Sequence, residues 1–344
     1  MRTFLKTILS GIGYYRLRYH VVTSLNKRLL ILMYHDLSPA PGPGKPALPL
    51  SGELSSAHFE AHIRVLAETI RTMTVQQAVE EMREKGGLAQ NTVAITFDDG
   101  YKSVHSLAFP ILRKYGVGAT VFLLTDWING RMTLWWEDLA DLVRAADLTR
   151  VEPKQLGQLL GSDNLRLPEK LGNDNLSRSR VQDRVSGALM VLEDGRKQQL
   201  LSDIGRALNA DAGSPKPDKS PLTWDQIREM SNDGFEFAAH TRSHPNMSFI
   251  SHEAAEAELI EGKAEIERQV GKPVTGFAYP YGYDVAGYAR FSPLLKRLGY
   301  SYACTSWWGN VRADSEPYLL NRNTLPAVTT KPLIRRELFL DLAE

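Results

Sequence analysis

Thr92-Val-Ala-Ile-Thr-Phe97 is followed at once by Asp98-Asp99-Gly100-Tyr101, then by a helical pattern near 103–115, by Gly116, and by a second apolar run over 118–124. A short β-rich run, a helix closed by glycine and another β-rich run make up one repeat of a parallel α/β architecture. The same rhythm recurs downstream. A helix over 223–233 stops at Gly234 and feeds a strand over 235–239. A helix over 252–270 stops at Gly271 and feeds 275–279, and a helix over 286–298 stops at Gly299 and feeds 300–305. A last helix is expected near 332–343.

Upstream, Leu29-Leu-Ile-Leu-Met-Tyr34 is apolar throughout and ends at His35, which reads as a strand buried on both faces. Residues 37–52, rich in Pro, Gly and Ser, read as a loop. A helix is expected from Ser56 to Ile70, with Ser55 or Ser56 as cap, and another near 75–85 stopping at Gly86-Gly87. The interval 135–222 breaks the rhythm. Its helical pieces over 136–147 and 180–208 and its Pro-containing linkers read as a helical insertion, not a separate catalytic unit.

The first 28 residues differ in kind. Arg2, Lys6, Arg16, Arg18, Lys27 and Arg28 face no Asp or Glu there, and Phe4, Leu5, Ile8, Leu9 and Ile12 recur at helical spacing. The apolar runs fall short of the ~20 residues a bilayer span needs. No small-residue cleavage site follows a long apolar core, so a cleaved signal peptide is not expected. Two readings stay open: a basic amphipathic segment on an anionic membrane surface, or a leader helix that is solvated or packed on the fold. Residues 29–344 form the expected catalytic domain.

Composition bounds the chemistry. A formal net charge of +1 argues against a dedicated nucleic-acid binder. Cys304 is the one cysteine, which excludes an internal disulfide and a thiolate zinc cluster, so any metal must be held by His, Asp or Glu. The lone thiol fits a reducing compartment, and the expected location is cytoplasmic or peripheral to the membrane rather than secreted.

Three segments at strand ends carry the chemistry. Asp98 and Asp99 are adjacent carboxylates that repel unless a cation or proton lies between them, although Asp-Gly also marks an ordinary turn. His240-Thr-Arg-Ser-His244-Pro245 places two imidazoles four apart, able to converge on one ion if the segment forms a helical turn. Phe277-Ala-Tyr-Pro-Tyr281-Gly282 fixes a tight turn that could aim a backbone N–H at a ligand. In a closed parallel barrel every C-terminal strand end opens on one rim, where barrel enzymes place their chemistry. Two imidazoles and one carboxylate there make a catalytic metal site with an open position, leaving the second Asp free as a base. His58 and His62 read as surface residues, and His105 as structural or supporting. Trp135, Trp136, Trp307 and Trp308 read either as sugar-stacking walls or as core.

In this order Met33-Tyr-His35, Thr-Phe-Asp-Asp-Gly-Tyr, Pro110-Ile-Leu112, His-Thr-x-x-His-Pro and Tyr-Pro-Tyr-Gly resemble the polysaccharide deacetylases, the NodB-homology group of carbohydrate esterase family 4, over roughly residues 29–344. The resemblance implies a distorted (β/α) barrel of about seven strands. It implies that Asp99, His240 and His244 bind a divalent metal, with zinc the default and nickel, cobalt or manganese alternatives. Asp98 would be the base, and the Tyr281 backbone N–H would line an oxyanion hole. Two departures stand out. Where the family's third motif often has an Arg, this chain has Ala278, and no His follows His252 to serve as the usual late acid. A subgroup similar to poly-N-acetylglucosamine deacetylases shares both features and uses its early His, which assigns the acid role to His35. Arg322 is the expected stand-in for the arginine.

The implied reaction removes an N-acetyl or N-formyl group from an amino-sugar polymer or a lipid-linked saccharide. Asp98 takes a proton from the attacking water, and protonated His35 gives one to the departing amine. A carbohydrate-binding pseudo-enzyme on this fold, or a hydrolase of another non-peptide amide, is the competing reading. A phosphohydrolase would need further acidic ligands and basic residues near the motifs, and neither is evident.

Overall fold

The structure, a computed structural model, describes residues 27–40, 54–161, 167–192, 194–210 and 219–325. The apolar run forms β1 (Leu29–Tyr34). Within and just after the expected loop, β2 (Leu37–Ser38) and β3 (Leu54–Ser55) pair in parallel. The remaining strands are β4 (Arg71–Met73), β5 (Thr92–Phe97), β6 (Thr120–Leu123), β7 (Glu236–Ala239), β8 (Gly276–Ala278) and β9 (Tyr302–Cys304). Seven of them form one parallel sheet in the order β1-β5-β6-β7-β8-β9, with β4 also on β5.

The two edges of this sheet meet through the segment after β9. Leu320 bridges to Cys304, Asn323 to Leu32, and Val311 to Leu29. The result is a distorted (β/α) barrel with a helical insertion, as the alternation and the resemblance imply. Its closure is irregular, which is why no seventh strand-like run is legible there. Strand β4 is new: three half-buried residues, Arg-Thr-Met, carry no apolar alternation to announce it.

Alternation along the strands sorts side chains between two layers. Leu30, Leu32 and Tyr34 pack outward with Phe59, Ile63 and Leu66 of helix Ser56–Thr69. Leu29 and Ile31 point inward with Ala94, Phe122, Ala238, Tyr302 and Cys304. Burying each such aliphatic side chain stabilises by roughly 1.5–3 kcal/mol.

Local signals set the helix ends. Ser55 caps Ser56–Thr69, and Thr74 with Gln77 forms a capping box on Val75–Lys85. Gly86, Gly116 and Gly271 close their helices in the left-handed conformation. Three expectations need correction. The helix near 103–115 begins as a π-turn, Val104–Ala108, before Phe109–Tyr115. The helix over 286–298 breaks into Val285–Tyr288, a 3₁₀ turn and Ser292–Arg297, restarted by Pro293. The helix over 180–208 is two, Asn175–Leu189 and Asp194–Leu208, folded back so that both share one core.

That core belongs to the insertion itself. Val181, Val185 and Leu189 meet Leu200, Ile204 and Leu208 across from Leu139 and Val143 of helix Trp135–Ala145. Tyr281, from the barrel, packs against it. The basic segment 1–28 lies outside the described residues except for Lys27 and Arg28, as does the expected helix near 332–343. Among the described residues no helix is long and apolar enough to cross a membrane.

Candidate active site

Each candidate residue follows a strand, and all six line one cavity of about 470 Å³ at the C-terminal rim of the barrel. His35 follows β1, Asp98 and Asp99 follow β5, His240 and His244 follow β7, and Tyr281 follows β8. The backbone there is strained. Among the described residues five non-glycine residues have positive φ, and four of them are Asp99 (68°), Thr241 (67°), His244 (61°) and Tyr281 (63°). Such conformations cost on the order of 1–3 kcal/mol each and persist only where surrounding contacts enforce them.

The enforcing contacts can be named. The segment 240–245 is a loop, so its two histidines converge without the helical turn that their spacing sets as the condition. Glu258, on helix His252–Val270, accepts hydrogen bonds from the backbone N–H groups of Arg242 and Ser243 at 2.8 and 2.9 Å. Gly262 lets that helix approach, since a Cβ there would sit 3.1 Å from the Thr241 carbonyl. Thr241 Oγ1 accepts from the His244 N–H at 3.0 Å. On the neighbouring turn Gly282 (φ 66°) is required, because a Cβ would collide with Ser306 at 2.3 Å.

The two adjacent aspartates receive opposite treatment. Asp98 is gripped in bidentate fashion by Arg322, Nη1 to Oδ1 at 2.6 Å and Nη2 to Oδ2 at 2.7 Å. Arg322 is fully buried, and its Nε donates to the Thr305 carbonyl at 2.8 Å. Burial alone would raise the Asp98 pKa, but Arg322, with help from His240 and His35, outweighs it and holds the carboxyl below the usual range. Among the described residues Asp99 has no such partner. Burial, then the negative charges of Asp98 and Glu137, raise its pKa well above the ordinary value.

Asp99 Oδ1 is buried without a hydrogen-bond partner among the described residues. It lies 3.6 Å from His240 Nε2 and 3.6 Å from His244 Nε2. His240 Nδ1 is 2.8 Å from the Ala278 carbonyl, which can only accept, so Nδ1 carries the proton and Nε2 presents a lone pair. Burial pushes the His240 pKa down to about 4 and holds that of His244 well below its ordinary value, so both rings are neutral near pH 7. The His240 Nε2 lone pair facing a buried, unpartnered carboxylate oxygen is repulsive unless a cation or a proton joins them. Ligand atoms of Asp99, His240 and His244 all lie within 4.8 Å of one another, and the donor set suits a divalent metal.

His35 stands beside this group, half-exposed, with Nε2 3.8 Å from Asp98 Oδ2. The Tyr281 hydroxyl accepts from Trp135 Nε1 at 3.1 Å and from the buried Lys197 Nζ at 3.2 Å, so both residues of the insertion hold the β8 turn. The His244 ring packs between Trp136, 4.8 Å away, and Tyr281, 4.9 Å away.

Other candidates part from expectation. His62 is fully buried, not on the surface, with Nδ1 3.2 Å from the Tyr34 hydroxyl, because it lies on the inward face of its helix with Phe59 and Ile63. His58 contacts the capping Ser55. His105 pairs with Glu229 at 2.9 Å, away from the cavity wall. Trp135 is buried and Trp136 half-buried at the cavity, whereas Trp307 and Trp308 are exposed, so neither of the latter is core. Residues that sequence reasoning passed over also line the cavity. Asp36 is bound by Ser103 and Lys219, and Glu137 accepts from the Tyr101 hydroxyl at 2.9 Å. Burial raises the Glu137 pKa to about 7. Its place directly after Trp135-Trp136 is the only local signal it carries.

Comparison with known proteins bears on the family and the fold. The family model described as polysaccharide deacetylase matches residues 85–153 and 197–303, just over half of the chain. YxkH of Bacillus subtilis, whose name places it among polysaccharide deacetylases, is 30% identical over 125 residues, 36% of this chain and 42% of that protein. The poly-beta-1,6-N-acetyl-D-glucosamine N-deacetylase of Staphylococcus epidermidis is 33% identical over 77 residues, 22% of this chain and 26% of that protein. The chain therefore aligns with less than half the length of either relative. Among solved structures, the Streptococcus pyogenes deacetylase PplD superposes with a TM-score of 0.56 at 18% identity, covering 90% of this chain and 98% of the other. IcaB from Ammonifex degensii superposes with a TM-score of 0.51 at 17% identity, covering 90% and 97%. At these identities the superpositions establish the fold.

Proposed function

Since this chain belongs to the polysaccharide deacetylase family, we propose that it hydrolyses an N-acetyl or N-formyl amide on an amino sugar within a saccharide chain, and that it needs a divalent metal to do so. The observation that carries this reading is the opposite treatment of two neighbouring carboxylates. Asp98 is held ionised by Arg322, and Asp99 faces two neutral imidazoles with its Oδ1 unpartnered.

Asp99, His240 and His244 would hold the metal, with zinc the default for a His, His, Asp set. Such an ion, when bound, polarises an amide carbonyl and acidifies water. The rest falls to this chain's own groups. Asp98 is ionised and oriented by two hydrogen bonds, so it can take a proton from the attacking water without being consumed as a ligand. The backbone N–H of Tyr281, on a turn held by Trp135 and Lys197, serves the developing oxyanion. His35, half-exposed and 3.8 Å from Asp98, delivers the proton that the departing nitrogen requires. Arg322 supplies from the closing segment the charge that Ala278 cannot.

The substrate is an N-acylated glucosamine polymer or oligomer, which is the class named for the Staphylococcus epidermidis relative. The test is acyl release from N-acetylated and N-formylated glucosamine oligomers by metal-loaded protein, by chelated protein, and by chelated protein given zinc back. Release that chelation abolishes and zinc restores is expected. Folded, metal-loaded protein that releases no acyl group from any member of the panel overturns the reading.

A further inference from the structure

The wall of the cavity opposite the barrel rim comes from the insertion, and one of its polar groups has no hydrogen-bond partner among the described residues. Helix Asn175–Leu189 presents two parallel seams. Val181, Val185 and Leu189 are fully buried in the insertion core. One position on, Gln182, Ser186 and Met190 line the cavity. Gln182 Oε1 is buried, yet it accepts no hydrogen bond among the described residues. An acceptor buried in this way costs about 1–3 kcal/mol, and such groups in native proteins call for a ligand or another explanation.

The surroundings say what kind of ligand. Trp136, on helix Trp135–Ala145, lines the same cavity and packs its ring 4.8 Å from that of His244. A group held at Asp99, His240 and His244 would share this cavity with the Trp136 indole and with the Gln182–Ser186 seam. A pyranose ring matches this mixture, with C–H faces for the aromatic surface and hydroxyl or amide N–H donors around its edge.

We propose that Gln182 is a specificity-determining residue that accepts a hydrogen bond from a hydroxyl or N–H of the acylated sugar, with Ser186 one helical turn on as a second contact. The proposal rests on the deacetylase reading above. It assigns the barrel the chemistry and the insertion the recognition of the saccharide. A site built to hydrogen-bond a substrate donor discriminates strongly against ligands that lack it, because its own polar group is then left unpaired.

The test compares Gln182→Leu with Gln182→Glu in the full chain. Binding of an N-acetylated glucosamine oligomer is followed by calorimetry, turnover of the oligomer is measured beside that of a small acetate ester without a sugar, and bound zinc is assayed. Gln182→Leu should weaken oligomer binding and raise KM about tenfold, with zinc content at the parental level. It should lose more on the oligomer than on the ester. Gln182→Glu keeps the acceptor and should recover most of the binding. Parental oligomer affinity in Gln182→Leu overturns the proposal, because solvent then serves the amide. An equal loss on oligomer and ester also overturns it, because the residue then only supports the fold. Should the parent bind the oligomer without hydrolysing it, the functional reading fails while the binding comparison still decides the role of Gln182.

Discussion

The barrel rim and the insertion wall face each other across one cavity, and they are built on different principles. Every rim group follows a strand, and three of the ties come from elsewhere in the barrel: His240 to the Ala278 carbonyl, Asp98 to Arg322 of the closing segment, and the His244 loop to Glu258 on helix His252–Val270. The insertion has its own apolar core and meets the rim through a few side chains, chiefly Trp135 and Lys197 on Tyr281. Chemistry needs positions held to a fraction of an ångström, which cross-strand ties provide. Recognition of a saccharide, as proposed for Gln182, tolerates a wall that packs separately.

The comparison breaks most severely if rim changes spare the metal. His240→Ala or His244→Ala should lose bound zinc and at least about 10³-fold in turnover while the chain still folds. Full metal content in purified His240→Ala, measured by elemental analysis, would remove these residues from the ligand set.

Next comes the grip on the base. Arg322→Lys keeps a positive charge and discards the fork that holds both oxygens of Asp98. Turnover should fall about 10–100-fold with zinc content unchanged, because Asp98 is not a proposed ligand. Coupled loss of metal and turnover would mean that Asp98 and Asp99 share the ion.

A core change in the insertion should behave differently. Leu189→Ala opens space among Val185, Leu200 and their neighbours, and should cost about 2–5 kcal/mol in denaturant unfolding. Oligomer affinity should drop more than metal affinity. An equal drop in both would mean that the two regions unfold as one and that the division drawn here is wrong.

The smallest effect expected concerns Glu137, on the insertion side of the cavity. Its folded pKa of about 7 lies above the ordinary 4.5, so its contribution to stability is full below pH 4.5 and is lost as pH rises through 7. Gln has nothing to titrate and can still accept from Tyr101. In metal-free protein the melting temperature of Glu137→Gln relative to the parent should therefore be higher at pH 8.5 than at pH 5. A difference that stays flat over that range would place Glu137 in a solvated setting.

Much of this molecule was legible before any coordinate. Apolar runs such as Leu29–Tyr34 and Thr92–Phe97, closing glycines at 86, 116 and 271, and capping residues such as Ser55 act over a few residues, so periodicity and turn chemistry reveal them. The motifs placed Asp98, Asp99, His240 and His244 at strand ends, and the barrel topology then requires one rim. What tertiary structure alone decided is the physical basis of the difference that the resemblance implied for them. Which aspartate is clamped and which is left open depends on Arg322, 224 residues away from Asp98 along the chain. The irregular closure through Leu320 and Asn323 and the contact of buried His62 with Tyr34 likewise join residues far apart in sequence, and only the folded chain brings Gln182 and Ser186 to the cavity. Such contacts leave no local pattern, because their energy comes from burial and pairing that exist only once the chain has closed on itself.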